Sequence, residues 1–200
     1  MNFFSKFFKK PSSKEDSKNI ESKFFPKKKA VIEERFILKF IENGGKFLYC
    51  ENLKEVEENF DLILQENEWI HEEILVTNSK IIKQYNLKGN FKSCIEESIC
   101  FVTDCENLIA SNGSILISSN QIYEKKLNEF PENLIILSDT RKLKNTISEG
   151  LAEIKSKSKN IPTNITTIKN FDLISKDKDF LSYGTSSKNL YLILLEKGFN

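Results

Sequence analysis

Apolar residues along this chain recur in two rhythms. In "AVIEERFILKFIENGG" (30–45) they return every three or four positions, which predicts a helix, and Gly44-Gly45 supplies a left-handed stop. "KFLYC" (46–50) is an apolar run of strand length. "NLKEVEENFDLILQENEW" (52–69) repeats Leu53, Val56, Phe60 and Leu62/Ile63 at helical spacing, with Asn52 placed to cap it. "EEILVT" (72–77) reads as a strand, Asn78 as the cap of a following helix, and "SICFVTD" (98–104) as a third strand. "NLIILSD" (133–139) is a fourth, running into an amphipathic helix over 140–157 with Ile147 and Leu151 inward. "TNITTIKNF" (163–171) and "NLYLILLE" (189–196) supply two more strands. Such alternation predicts an α/β fold, a mainly parallel sheet flanked by helices on both faces.

One stretch breaks the alternation. "LIASNGSILISSNQ" (108–121) has two strand-like pieces around a polar turn and a second polar cluster behind it, and reads as a strand–turn–strand insertion.

Charge separates a tail from this pattern. Residues 1–30 carry nine lysines against three acids around a polar, breaker-rich middle, the composition of a flexible basic arm. Within residues 1–10, Phe3, Phe4, Phe7 and Phe8 would share one face of a helix among Lys6, Lys9 and Lys10. That face suits a membrane surface or a partner, but the favoured reading is an arm that frays or packs on its own domain. The domain proper is expected over 31–200. The whole chain is balanced, with 30 basic against 29 acidic residues, so nothing points to nucleic acid. No run approaches the ~18 apolar residues of a membrane span. "MNFFSKFFKK" lacks the form of a signal peptide, and the expectation is a cytoplasmic protein.

Four cysteines (50, 94, 100 and 105) lack the paired spacing of zinc and iron–sulfur sites, and His71 is the lone histidine, so no metal is expected. Cys50 and Cys100 sit in apolar runs and read as buried. In open α/β sheets ligands bind outside the carboxyl ends of the strands. Three polar turns meet that description: Thr103 to Asn107, Ser111-Asn112-Gly113-Ser114 with Asn120 and Gln121 beyond, and Gly184-Thr185-Ser186-Ser187. Together they could line a pocket for a small anionic ligand, or be ordinary turn chemistry. Asp104 and Glu106 are the acid–base candidates near them.

"NGGKFLYCENLKEVEENF", "FVTDCENLIASNGSILISSNQ", "FPENLIILSD" and "YGTSSKNLYLILLE" together resemble the LUD-domain family, in its lactate-utilisation-protein-C-like, Bacteroidetes-type form, over about residues 31–196. The resemblance implies a fold of the sugar-isomerase and CoA-transferase (NagB/RpiA/CoA-transferase-like) type. It implies a link to oxidation of L-lactate to pyruvate, with the iron–sulfur clusters held by partner proteins and no cofactor of its own. The family's Ala-(Asp/Glu)-x-Gly-(Thr/Ser) turn is here Ala110-Ser111-Asn112-Gly113-Ser114, with Ser111 where the acid is expected. A Gly-Pro-Ser-x-Thr-x-Asp run before the last strand is replaced by Ile174 to Asp179, and only Gly184 remains of a later Gly-Pro turn. The expectation is a binding or assembly role in lactate utilisation. The alternatives are a CoA-transferase-like or thioester-handling enzyme using Glu106 or Asp104, and a divergent scaffold docking through its Phe/Lys arm.

Overall fold

The computed structural model of the chain describes residues 31–157, 161–169 and 189–197. The basic arm and the turn holding Gly184, Thr185 and Ser186 lie outside the described residues. In chain order the elements begin with α1 (Ile32–Glu42), β1 (Lys46–Cys50), α2 (Leu53–Glu66), β2 (Glu73–Val76), α3 (Lys80–Gln84), β3 (Asn90–Lys92) and β4 (Cys100–Thr103). A hairpin of β5 (Asn107–Ile109) and β6 (Ser114–Ser118) follows, then α4 (Ser119–Ile122) and β7 (Asn133–Asp139). The remainder is β8 (Leu143–Lys144), α5 (Ile147–Lys157), β9 (Ile165–Ile168) and β10 (Asn189–Leu195).

Local chemistry sets the boundaries. Gly44 takes φ +87°, so its N–H reaches Ile41 O and that of Gly45 reaches Phe40 O at 3.0 Å, a double closure of α1 that its two glycines permit. Asn52 Oδ1 accepts from Glu55 N–H at 3.0 Å and starts α2. Asn78 Oδ1 accepts from Lys80 N–H ahead of α3.

Six strands form one parallel sheet in the order β1-β10-β7-β4-β2-β3. Its inner strands are apolar on both sides because both faces are covered. Ile74, Val76, Cys100, Val102, Ile135, Leu137 and Ile193 pack with α2, α3, Trp69 and Tyr85. Leu75, Phe101, Leu134, Ile136, Leu192 and Leu194 turn the other way, onto Phe36, Ile37 and Phe40 of α1 and onto the hairpin. The hairpin belongs to a second sheet, β8-β5-β6-β9, whose outer side receives α5 through Ile109, Leu116 and Ile154. The α/β class and the mostly parallel sheet flanked by helices are as the sequence predicts. The second sheet shares one of those two faces with α1.

Three expectations need correction. β3 went unread because "NFK" offers one apolar residue at a sheet edge. The helix expected over 140–157 begins only at Ile147. Thr140–Lys142 is a single 3₁₀ turn, and Leu143 and Lys144 pair with Leu108 and Ile109 of the hairpin. Thr146 Oγ1 then accepts from Glu149 N–H and caps the helix, while Glu149 Oε2 accepts from the N–H of the preceding residue, Asn145, at 2.8 Å. Gly150 and Ile154 are buried in α5, with Ile147 partly so, whereas Leu151, expected inward, is exposed because Gly150 and Ile154 make the contact with the hairpin. Contact at Gly150 is so close that a Cβ there would lie 2.8 Å from Leu116 Cδ1.

Candidate functional site

All six strands of the main sheet run the same way, so their carboxyl ends share one edge. There β4 delivers Asp104, Cys105 and Glu106, and β7 delivers Ser138 and Asp139 followed by Arg141 and Lys142. Beside them lies a cavity of about 370 Å³ lined by Glu106, Asn107, Asp139, Arg141, Lys142 and three residues of α5 (Glu153, Ile154 and Lys157).

Three linked clusters build this crevice. In the first, Asp104 accepts from Gln121 Nε2 at 3.1 Å and from Lys142 Nζ at 3.3 Å. Lys142 Nζ also donates to Cys105 O. Glu106 Oε1 accepts from Ser118 Oγ at 2.6 Å and from Asn120 Nδ2 at 2.8 Å. Burial would lower the Lys142 ammonium, but Cys105, Asp104 and Glu106 face it, and its pKa is raised on balance.

The second cluster is one residue pair. Asp139 Oδ1 accepts from both the backbone N–H and Nε of Arg141, and Oδ2 accepts from Nη2, at 2.9–3.0 Å. Burial alone would push the Asp139 carboxyl up, yet the bonds from Arg141 hold it below its usual range.

The third centres on Glu153. It accepts from Asn107 Nδ2 at 2.6 Å and from Lys157 at 2.6 Å, and pairs with Lys144 at 3.2 Å. Burial would raise it, but the bonds from Lys157, Asn107 and Lys144 win and bring its pKa to about 2.

The structure divides the sequence-predicted residues. Asp104, Glu106, Asn120 and Gln121 come together beside the cavity, and of the four Glu106 lines it. Ser118 holds that group in place: its Oγ accepts from Asn120 N–H, and its own N–H donates to Gln121 Oε1, starting α4. Ser111, Asn112, Gly113 and Ser114 sit at the far end of the hairpin. Asn112 O accepts from Asn43 Nδ2 at 2.8 Å, and Asn112 Oδ1 accepts from the N–H and Oγ of Ser114. Gly113 lies against α1 so tightly that a Cβ would meet the Lys39 and Phe40 backbone at 2.4 Å. That turn therefore joins the hairpin to α1.

Sequence reasoning missed Asp139, Arg141, Lys142 and Glu153 because 140–157 reads as one helix. The signal was present: Asp-x-Arg directly after an apolar strand, where an aspartate bonds the backbone two residues on. Among the described residues, no group of three or more His, Cys, Asp or Glu side chains is placed to hold a metal ion. None of the described helices is long and apolar enough to cross a membrane.

Comparison with known proteins adds two findings. The model of the LUD domain matches residues 33–195. A DUF162 family protein from Deinococcus radiodurans has a similar structure, with a TM-score of 0.60, 12% identity, and cover of 82% of this chain and 96% of that one. At that identity the likeness is one of fold. No curated protein matches.

Proposed function

The chain belongs to the LUD domain family, and from that membership we propose that it is an accessory protein of L-lactate utilisation. It works in the cytoplasm with iron–sulfur partner proteins that oxidise lactate to pyruvate, and it contributes binding rather than catalysis on its own. The observation that carries this reading is the pairing of the acids that line the cavity or stand behind its wall. Asp104 and Glu106 are held by Gln121, Lys142, Ser118 and Asn120, and Asp139 and Glu153 are each tied to cations. Such a neutralised and oriented lining suits holding a small polar ligand. Redox chemistry in this reading belongs to the partners.

The test is a gentle purification through a C-terminal tag with mass-spectrometric identification of what accompanies the protein. Recovery of iron–sulfur oxidoreductases that fall away when lactate oxidation is genetically removed is the expected outcome. A protein that comes out alone from lactate-grown cells sinks the accessory role.

A second reading, a thioester-handling enzyme, has one observation in its favour: Glu106 lines the cavity and uses a single oxygen, Oε1, in its hydrogen bonds among the described residues. Hydroxylamine trapping of an acyl group with a panel of acyl-CoA thioesters, lost in Glu106→Gln, would establish it. No adduct from any of them removes it.

A further inference from the structure

Of the 30 basic residues in this chain, only Arg35 and Arg141 are arginines. Lysine supplies a point charge wherever charge alone is needed, whereas arginine supplies a planar fork. Arg35 donates through Nη2 to Asn145 Oδ1 at 2.6 Å. The other fork has a more specific setting.

A guanidinium presents two edges that each offer a parallel pair of N–H bonds: the side edge of Nε and Nη2, and the end edge of Nη1 and Nη2. Asp139 occupies the side edge of Arg141, with both bonds at 2.9 Å, and fixes the residue's backbone with a third. Asp139 is nearly sealed, its side chain 5% exposed, while Arg141 remains 63% exposed and lines the cavity. Nη1 has no partner among the described residues. A surface arginine normally samples many rotamers, and that freedom is lost when it binds something. Here a buried carboxylate at the end of an inner strand removes the freedom beforehand and leaves the end edge unused.

We propose that the end edge of Arg141 is an oxyanion-recognition site, taking two oxygens of a carboxylate or of a phosphoryl group in a bidentate pair. Asp139 is its positioning residue. Lys142, 30% exposed, lines the same cavity, and its ammonium is paired with Asp104. The inference rests on the crevice reading above for its location and is independent of lactate and of any partner.

The two arginines make the site directly observable. In the full chain, only two Nε–H side-chain resonances arise from arginine, and Arg141→Lys assigns them by subtraction. Sodium acetate and inorganic phosphate, titrated separately at constant ionic strength, are expected to shift the Arg141 resonance saturably and leave that of Arg35 in place. Whichever probe saturates first names the class of oxyanion. Arg141→Lys keeps the charge but loses the paired donors and the reporter resonance, so its affinity is followed through the backbone amide shifts of residues 139–142, compared with the same amides in the parent, and is expected to weaken about ten-fold. Asp139→Asn is expected to weaken it as well while Arg141 is still present. A resonance that fails to saturate with either probe overturns the site, and unchanged affinity in Arg141→Lys overturns the bidentate edge. Either result leaves the purification experiment, and with it the accessory role, standing by itself.

Discussion

At the scale of single residues, the fold holds particular charges and thiols in one state. Glu153 has its carboxyl at about 2 against an ordinary 4.5. A carboxyl depressed on folding contributes stability that is complete above its unfolded value and is lost as pH falls through the folded one. Its contribution is therefore full above pH 4.5 and fades as pH falls towards 2, with Asp139 acting in the same direction. Glu153→Gln is expected to cost about 1–2 kcal/mol at neutral pH and to flatten the acid limb of urea midpoint against pH. An acid limb of unchanged slope would remove Glu153 from this account. The thiols behave oppositely: burial pushes Cys50 and Cys105 up to about 11 and Cys100 to about 12, while Cys94 is exposed. One thiol should react rapidly with Ellman's reagent in the native protein, and a second fast equivalent would contradict the burial. From sequence, Asp104, Glu106, Asn120 and Gln121 were legible as polar clusters beside strand ends. Arg141 was not, because its role depends on a turn at Asp139 that helical periodicity concealed.

Elements were more legible than sites, since periodicity is a property of neighbours along the chain. β7 and β1 have the limits the pattern predicts, and α2 starts at its asparagine cap. Errors fell where a partner distant in sequence decides the conformation. Lys144 O accepts from Ala110 N–H, and Asn145 O from Ser111 N–H, which holds 143–145 extended against the hairpin. The joint between hairpin and α1 is equally specific. Gly113 has φ +69° and no room for a Cβ, so Gly113→Ala is expected to lower stability by about 3 kcal/mol or more. A thermal midpoint equal to that of the parent would show that α1 can move away. At the other end of the hairpin, Ser118→Ala removes the acceptor for Asn120 N–H and a donor to Glu106. The expected loss is about 1–2 kcal/mol by chemical denaturation, and a neutral result would mean that water replaces the hydroxyl.

Across the whole molecule, strand order was the least legible property. Parallel inner strands buried on both faces are all continuous apolar runs, so "NLIILS" and "NLYLILL" give no sign of being neighbours. The pairing is nevertheless exact in register: Asn189 stands beside Asn133 and bonds to it at 2.9 Å, and six further pairs follow up to Leu195 and Asp139. Among the described residues, β10 is also the sole strand that joins β1 to the rest of the sheet. A chain shortened to end before Asn189 is expected to show no cooperative thermal transition, and a retained transition would mean that the sheet closes without it. The same topology dictates a timetable for synthesis. On the ribosome, β1 is made early and its neighbour emerges almost 140 residues later, so the apolar edges of β1 and β7 wait unpaired while the intervening chain is translated. Such long-range closure is slow, and the waiting edges are where a nascent chain meets chaperones or its own aggregates.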